Sequence, residues 1–96
     1  MTLNNTNIDY HDVDTVNLQA GAMSIGRAPD NDLHLTDTSV SSHHAKIFTY
    51  LDASYIEDLG STNGTFLNGK RIQKHTLHTG DIIKLGKQVF EVGTSN

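Results

Sequence analysis

No stretch of this chain keeps a helical spacing of apolar side chains for more than about ten residues, whereas short apolar or alternating runs recur throughout. Each run is closed off by Gly, Asn, Asp or Ser. An amphipathic helix needs apolar residues every third or fourth position to bury one stripe, so a chain without that spacing must bury alternate residues on strands. The pattern predicts strands over Thr15 to Gln19, Met23 to Gly26, Leu33 to Leu35, Ala45 to Leu51, Ser54 to Asp58, Thr65 to Leu67, Ile82 to Leu85 and Val89 to Val92. The expected fold class is all-β. Many short strands with close-set turns favour a sandwich or a barrel, whose loops gather at the ends.

Local signals sharpen this reading. In Ala45 to Leu51, period two puts Ala45, Ile47, Thr49 and Leu51 on one face and Lys46, Phe48 and Tyr50 on the other, with Ile47 expected in the core. Asn68-Gly69, between Thr65-Phe66-Leu67 and Lys70-Arg71-Ile72, can supply the two positive φ angles of a type I′ hairpin turn. Gly80-Asp81 reads as a turn, after which Val89 to Val92 pairs back on Ile82 to Leu85 with Phe90 and Val92 inward. The one proline, Pro29, lies in the turn-rich run Ala28-Pro29-Asp30-Asn31-Asp32.

With 96 residues, the chain is expected to be one domain over residues 1–96, with 1–12 a frayed segment. A formal charge of −4 argues against nucleic-acid or anionic-membrane partners, which are usually met by a basic face, so any anion site must be local. Zero cysteines exclude disulfides, thiolate metal sites and cysteine catalysis. Met1 to Asp12 lacks the cationic start and apolar run of a signal peptide, and no apolar run has bilayer length, so a cytoplasmic location is the default expectation.

Three segments could carry function: Gly26-Arg27, Val40 to Ala45, and Asp58 to Phe66. Taken singly, each has a plain reading. Gly-Arg at a strand end is usually a turn followed by a solvated charge, and Thr62-Asn63-Gly64 is an ordinary turn. Ser41 and His44 fit a loop serine with a histidine tucked beneath it better than a nucleophile and its base, since no acidic orienter is evident. A His43-His44 metal site lacks a third ligand at useful spacing, so no metal and no cofactor is expected.

Taken together, Gly26-Arg27, then Ser41-Ser42-His43-His44, then Ser61-Thr62-Asn63-Gly64-Thr65, then Asn68-Gly69 resemble the forkhead-associated domain in order and spacing. The motif-bearing core runs from about residue 24 to residue 92. The resemblance implies a β-sandwich of about eleven short, mainly antiparallel strands with the binding loops at one apex. It also implies a non-enzymatic adaptor that binds phosphothreonine segments made by a Ser/Thr kinase. The competing class is a protein-interaction scaffold of the same fold that ignores phosphate.

The residue types suit the implied ligand. A phosphothreonine brings roughly −1.5 to −2 charge and three acceptor oxygens. Arg27 offers a permanent, two-pronged cation. Ser41, Ser42 and Thr62 offer further donors to phosphate, and the Asn63 amide can hold peptide backbone. By analogy with the family, His44 supports the Ser41 turn from below, Gly26 permits close approach of the Arg27 loop, and Asn68 fixes the hairpin. Relatives often carry Lys or Arg where this chain has Ser42 and His43. His43 reads first as a solvent-facing loop residue, the alternative being a ring that adds positive charge beside the phosphate when protonated, below its unperturbed pKa of about 6.5. Lys70 and Arg71 read as a solvated cationic tip.

Overall fold

The computed structural model describes residues 13–94, and the expectation for 1–12 lies outside them. Ten strands lie among the described residues: β1 Asp14–Leu18, β2 Gly21–Gly26, β3 Leu33–His34, β4 Ala45–Tyr50, β5 Ala53–Asp58, β6 Thr65–Leu67, β7 Lys70–Ile72, β8 Lys74–Leu77, β9 Ile82–Leu85 and β10 Gln88–Thr94. They form two five-stranded sheets, ordered β1-β10-β9-β6-β7 and β3-β2-β4-β5-β8. Pairing is antiparallel except for β1 with β10 and β2 with β3. The all-β class is thus the one that the alternating runs predict, and the mainly antiparallel sandwich is the fold that the resemblance implies.

The two sheets meet through the inward residues of each strand. In β4, Ala45 and Ile47 are buried; in β9, Ile83 and Leu85; in β10, Phe90 and Val92. Ile56 of β5, opposite Ile47 in register, has no exposed surface. Each such side chain removed from water is worth about 1.5–3 kcal/mol, so alternation alone selects this arrangement over any one-residue slip. On the outer face of the second sheet, Phe48 and Tyr55 pair across strands with ring centroids 5.0 Å apart. Lys46 and Lys74 lay their ammonium groups over these rings at 5.7 and 4.7 Å.

Three expectations are corrected. Leu51 does not extend the buried face of β4: it leaves the strand at φ +57° and is 81% exposed in the turn to β5. Leu35, expected to end a strand, lies past β3, although it is buried. The third concerns the edges: β7 is the return arm that the Asn68-Gly69 hairpin predicts, whereas β8 is added, the alternation reading lacking it entirely. Both are edge strands whose ladder bonds are supplied by β6 and β5, so neither needs an alternating pattern of its own. Gln73 alone separates them and carries the chain from one sheet to the other. Its carbonyl accepts from Asp58 N at 2.8 Å and its amide donates to Asp58 O at 3.3 Å.

At the Asn68-Gly69 turn, φ is +51° and +85°, as a type I′ turn requires. Strands β2, β4, β5 and β6 place one end of each at the same apex. There the β2–β3, β3–β4 and β5–β6 connections become the first, second and third loops, over residues 27–32, 35–44 and 59–64.

Candidate functional site

The first two loops are joined by backbone. Arg27 N donates to Ser41 O at 2.9 Å and Ala28 N to Ser42 O at 3.1 Å. Gly26 allows this approach, since a Cβ there would collide with the Ser42 carbonyl and lie 2.8 Å from Asn31 Nδ2. Asn31, buried, reinforces the join by donating from Nδ2 to both Ala28 O and Ser42 O at 2.8 Å.

His44 links these loops to the third. Its ring is fully buried, and Nδ1 accepts from Ser41 N at 3.1 Å. An accepting Nδ1 carries no proton, so Nε2 holds the hydrogen and donates to Gly64 O at 2.9 Å. The His44 backbone adds bonds to Ile25 O and from Leu59 N, each 2.9 Å. The ring therefore touches backbone atoms of two loops and does not engage the Ser41 hydroxyl. The two adjacent histidines point to different partners: His43 Nε2 donates to both oxygens of Asp30 at 3.1 Å. That hydrogen bond, against a small opposing effect of desolvation, holds the exposed Asp30 carboxyl below the ordinary carboxylate range. The His43 ring is thus exposed, as its plainer reading has it, and paired with the Asp30 carboxylate.

The third loop is wound around Asp58. Oδ2 accepts from Gly60 N and Ser61 N at 3.0 Å, while Oδ1 accepts from Ser61 Oγ at 2.6 Å and from the buried Thr65 Oγ1 at 2.7 Å. Ser61 Oγ in turn accepts from Gly64 N at 2.9 Å. Burial pushes the Asp58 carboxyl up, but the donors of Ser61, Thr65 and Gly60 outweigh burial and hold it below its ordinary value. In the second loop, Asp37 accepts from Ser39 N and Oγ, which lower its carboxyl as well. Ser39 Oγ also accepts from Lys87 N at 2.7 Å, bracing the loop against the β9–β10 turn.

On this platform Arg27, Ser41, Thr62 and Asn63 come together with Thr38, Ser39 and Val40 around a cavity of about 130 Å³ with no acidic residue in its wall. Arg27 Nε donates to Val40 O at 2.9 Å, which fixes the guanidinium and leaves its two terminal nitrogens for a ligand. Ser41 Oγ accepts from Thr62 N at 3.0 Å, so its own proton remains to be donated. Asn63 Nδ2 donates to Ser39 O at 2.8 Å, leaving Oδ1 as an acceptor.

Two of the expected site residues stand apart. Ser42 is exposed and outside the cavity wall, joined to the first loop through its carbonyl. Asn68 lies at the far end of β6. There it exchanges backbone and side-chain bonds with Ile82 and donates to Asp81 Oδ1 at 3.0 Å, tying the hairpin to β9. The residues that sequence reasoning left without a role are Asp58, Ser61, Asn31 and Ser39. Asp58-x-Gly-Ser is a local pattern for a side chain capping its own turn and could have been read; the reach of Asn31 across eleven residues could not.

Known proteins share this sequence pattern and this fold. The family model described as FHA domain matches residues 23–86. The ABC transporter ATP-binding/permease protein Rv1747 of Mycobacterium tuberculosis is 42% identical over 82 residues, covering 83% of this chain and 10% of that protein. This chain spans between 10% and 50% of the length of the curated relatives it matches. A solved structure from a study of phosphothreonine-dependent FHA domain interactions superposes with TM-score 0.72 at 39% identity, covering 75% of each chain. Mycobacterium tuberculosis EmbR in complex with a low-affinity phosphopeptide gives the same TM-score and identity over 82% of this chain and 22% of that one.

Proposed function

Because the chain belongs to the forkhead-associated domain family, we propose that it is a phosphothreonine-dependent peptide-binding module whose phosphate site is the cavity of Arg27, Ser41 and Thr62. The observation that carries this reading is the Arg27 guanidinium. Among the described residues it is tethered through Nε alone, in a wall of hydroxyl and amide groups without a carboxylate. A dianionic phosphate there exchanges water for donors already aimed at it, and pre-arranged donors lose less freedom on binding than mobile ones.

The roles divide by chemistry. The two terminal nitrogens of Arg27 grip two phosphate oxygens; the Ser41 and Thr62 hydroxyls donate to the remaining acceptor sites. Asn63 accepts a backbone N–H of the bound peptide through Oδ1, and Ser42 supplies an outer donor. His44 and Gly26 act beneath the site. Ser41 is no nucleophile in this reading, since the His44 nitrogen nearest it is occupied by a backbone N–H. The partner is a protein phosphorylated by a Ser/Thr kinase, read by one domain as a non-enzymatic adaptor in the cytoplasm.

Calorimetric titration with matched phosphothreonine, phosphoserine and unphosphorylated peptides tests the proposal. Removing a desolvated charge partner costs about 2–5 kcal/mol, so Arg27→Ala is expected to weaken phosphothreonine binding at least tenfold. Arg27→Lys is expected to fail to restore it. Binding indifferent to both phosphate and Arg27 would leave a phosphate-independent scaffold as the function.

A further inference from the structure

The outer face of the first sheet carries charges that the phosphate site does not use. Cross-strand register aligns Arg71 of β7, Phe66 of β6, Lys84 of β9 and Val89 of β10 in one row. Arg71 and Lys84 are exposed, Phe66 is half-buried, and the Lys84 ammonium stands 5.7 Å from the Phe66 ring centre. Arg71 is not a tip that trails into solvent. Its guanidinium lies against the third loop, where a Cβ on Gly64 would stand 2.7 Å from Nε and 3.0 Å from Cζ. Among the described residues, neither cation belongs to an ion pair.

The row is continuous with the phosphate site. Asn63 and Gly64 of the third loop run directly into Thr65 and Phe66, so the row begins one strand position below the loop that faces the ligand. We infer that this row is a docking track for an acidic segment flanking the phosphothreonine, the inference resting on the phosphopeptide reading of the apex. Two cations unpaired among the described residues, on a chain of net charge −4, are a local feature that an acidic segment complements. Phe66 offers apolar ground between acidic side chains, while in the next row the exposed Glu91 stands opposite the 37% exposed Ile82 and bounds the track on that side. Arg71 and Lys84 lie two strand spacings apart, roughly 10 Å, and an extended peptide advances about 3.3 Å per residue, so the matching acidic residues stand about three apart.

The test uses phosphothreonine peptides carrying two Glu three residues apart, on one side of the phosphothreonine or on the other, with Gln-substituted controls and unphosphorylated versions. Affinities are measured at low salt for wild type and for the Arg71→Gln/Lys84→Gln double variant, whose thermal unfolding confirms that it folds. One Glu placement is expected to tighten wild-type binding about three- to fivefold over its Gln control. The double variant removes that gain while binding the Gln control within about twofold of wild type. The track is overturned if neither placement tightens binding, or if the gain survives in the double variant. Failure to separate phosphorylated from unphosphorylated Gln peptides would overturn the phosphopeptide reading instead. The Glu dependence of the unphosphorylated pair would then decide the track alone.

Discussion

The interior of the sandwich and the base of the loops above it are both closed to water, but different forces hold them. Between the sheets sit Ile25, Ile47, Ile56, Ile83 and Leu85, none more than 2% exposed, packed through contacts that have no direction. Under the loops sit His44, Thr65, Asp58 and Asn31, also buried, each aimed at named donors or acceptors. Apolar packing decides that the sheets stay together, whereas buried polar groups decide where a loop stops. A hydrogen bond that positions a loop is worth little in net stability, yet a ligand cradle displaced by an ångström loses its function.

That contrast can be broken or sharpened by substitution. Ile56→Ala empties the centre of the interface, and denaturant titration is expected to find about 2–5 kcal/mol of stability lost. The fraction still folded should bind phosphopeptide as wild type does. Asp58→Asn is expected to cost about 1–3 kcal/mol, because it turns one of the two acceptor oxygens into a donor that faces two of the four donors now bound. Unlike Ile56→Ala, it should weaken phosphopeptide binding well beyond any loss of folded protein. Equal losses in the two variants would erase the distinction.

The same carboxylate has a pH signature. Its folded-state value lies below that of the unfolded chain, about 3.9, so its stabilisation is complete above roughly pH 5 and is lost as pH falls through the lowered folded value. Asp58→Asn should therefore flatten the acid limb of the stability curve, as measured by unfolding at stepped pH. Gly26→Ala forces a methyl group onto the Ser42 carbonyl, at an expected cost of about 1–3 kcal/mol, again with binding affected more than stability. The smallest effect belongs to Asn68→Ala, far from the loops. It should cost about 1 kcal/mol of stability and leave phosphopeptide affinity unchanged, which a paired melt and titration would detect.

Legibility in the sequence follows the same division. Ile47, Phe90 and Val92 were readable as core because alternation is a property of neighbours two residues apart, and Asn68-Gly69 was readable as a turn because two adjacent positive φ angles demand those residue types. Strand β7 was readable only as the return arm of that turn and β8 not at all, since an edge strand borrows its hydrogen bonds from the strand beside it. Leu51 was misplaced because period two cannot tell where a strand ends. Arg71 read as a solvated charge until β7 was seen to lay it across Gly64.

By itself the sequence determined the all-β class, the inward faces of the longer strands and the set of loop residues from which a phosphate site could be drawn. Each of those is written in spacing over a few residues or in the chemistry of one side chain. Only the tertiary structure decided that Asn31 and His44 weld three loops into one platform, and that Ser42 stands outside the cavity its neighbours line. It likewise decided that the exposed His43 ring pairs with Asp30. These depend on hydrogen bonds between groups eleven to twenty residues apart, whose distance and direction exist only once the two sheets have closed on each other.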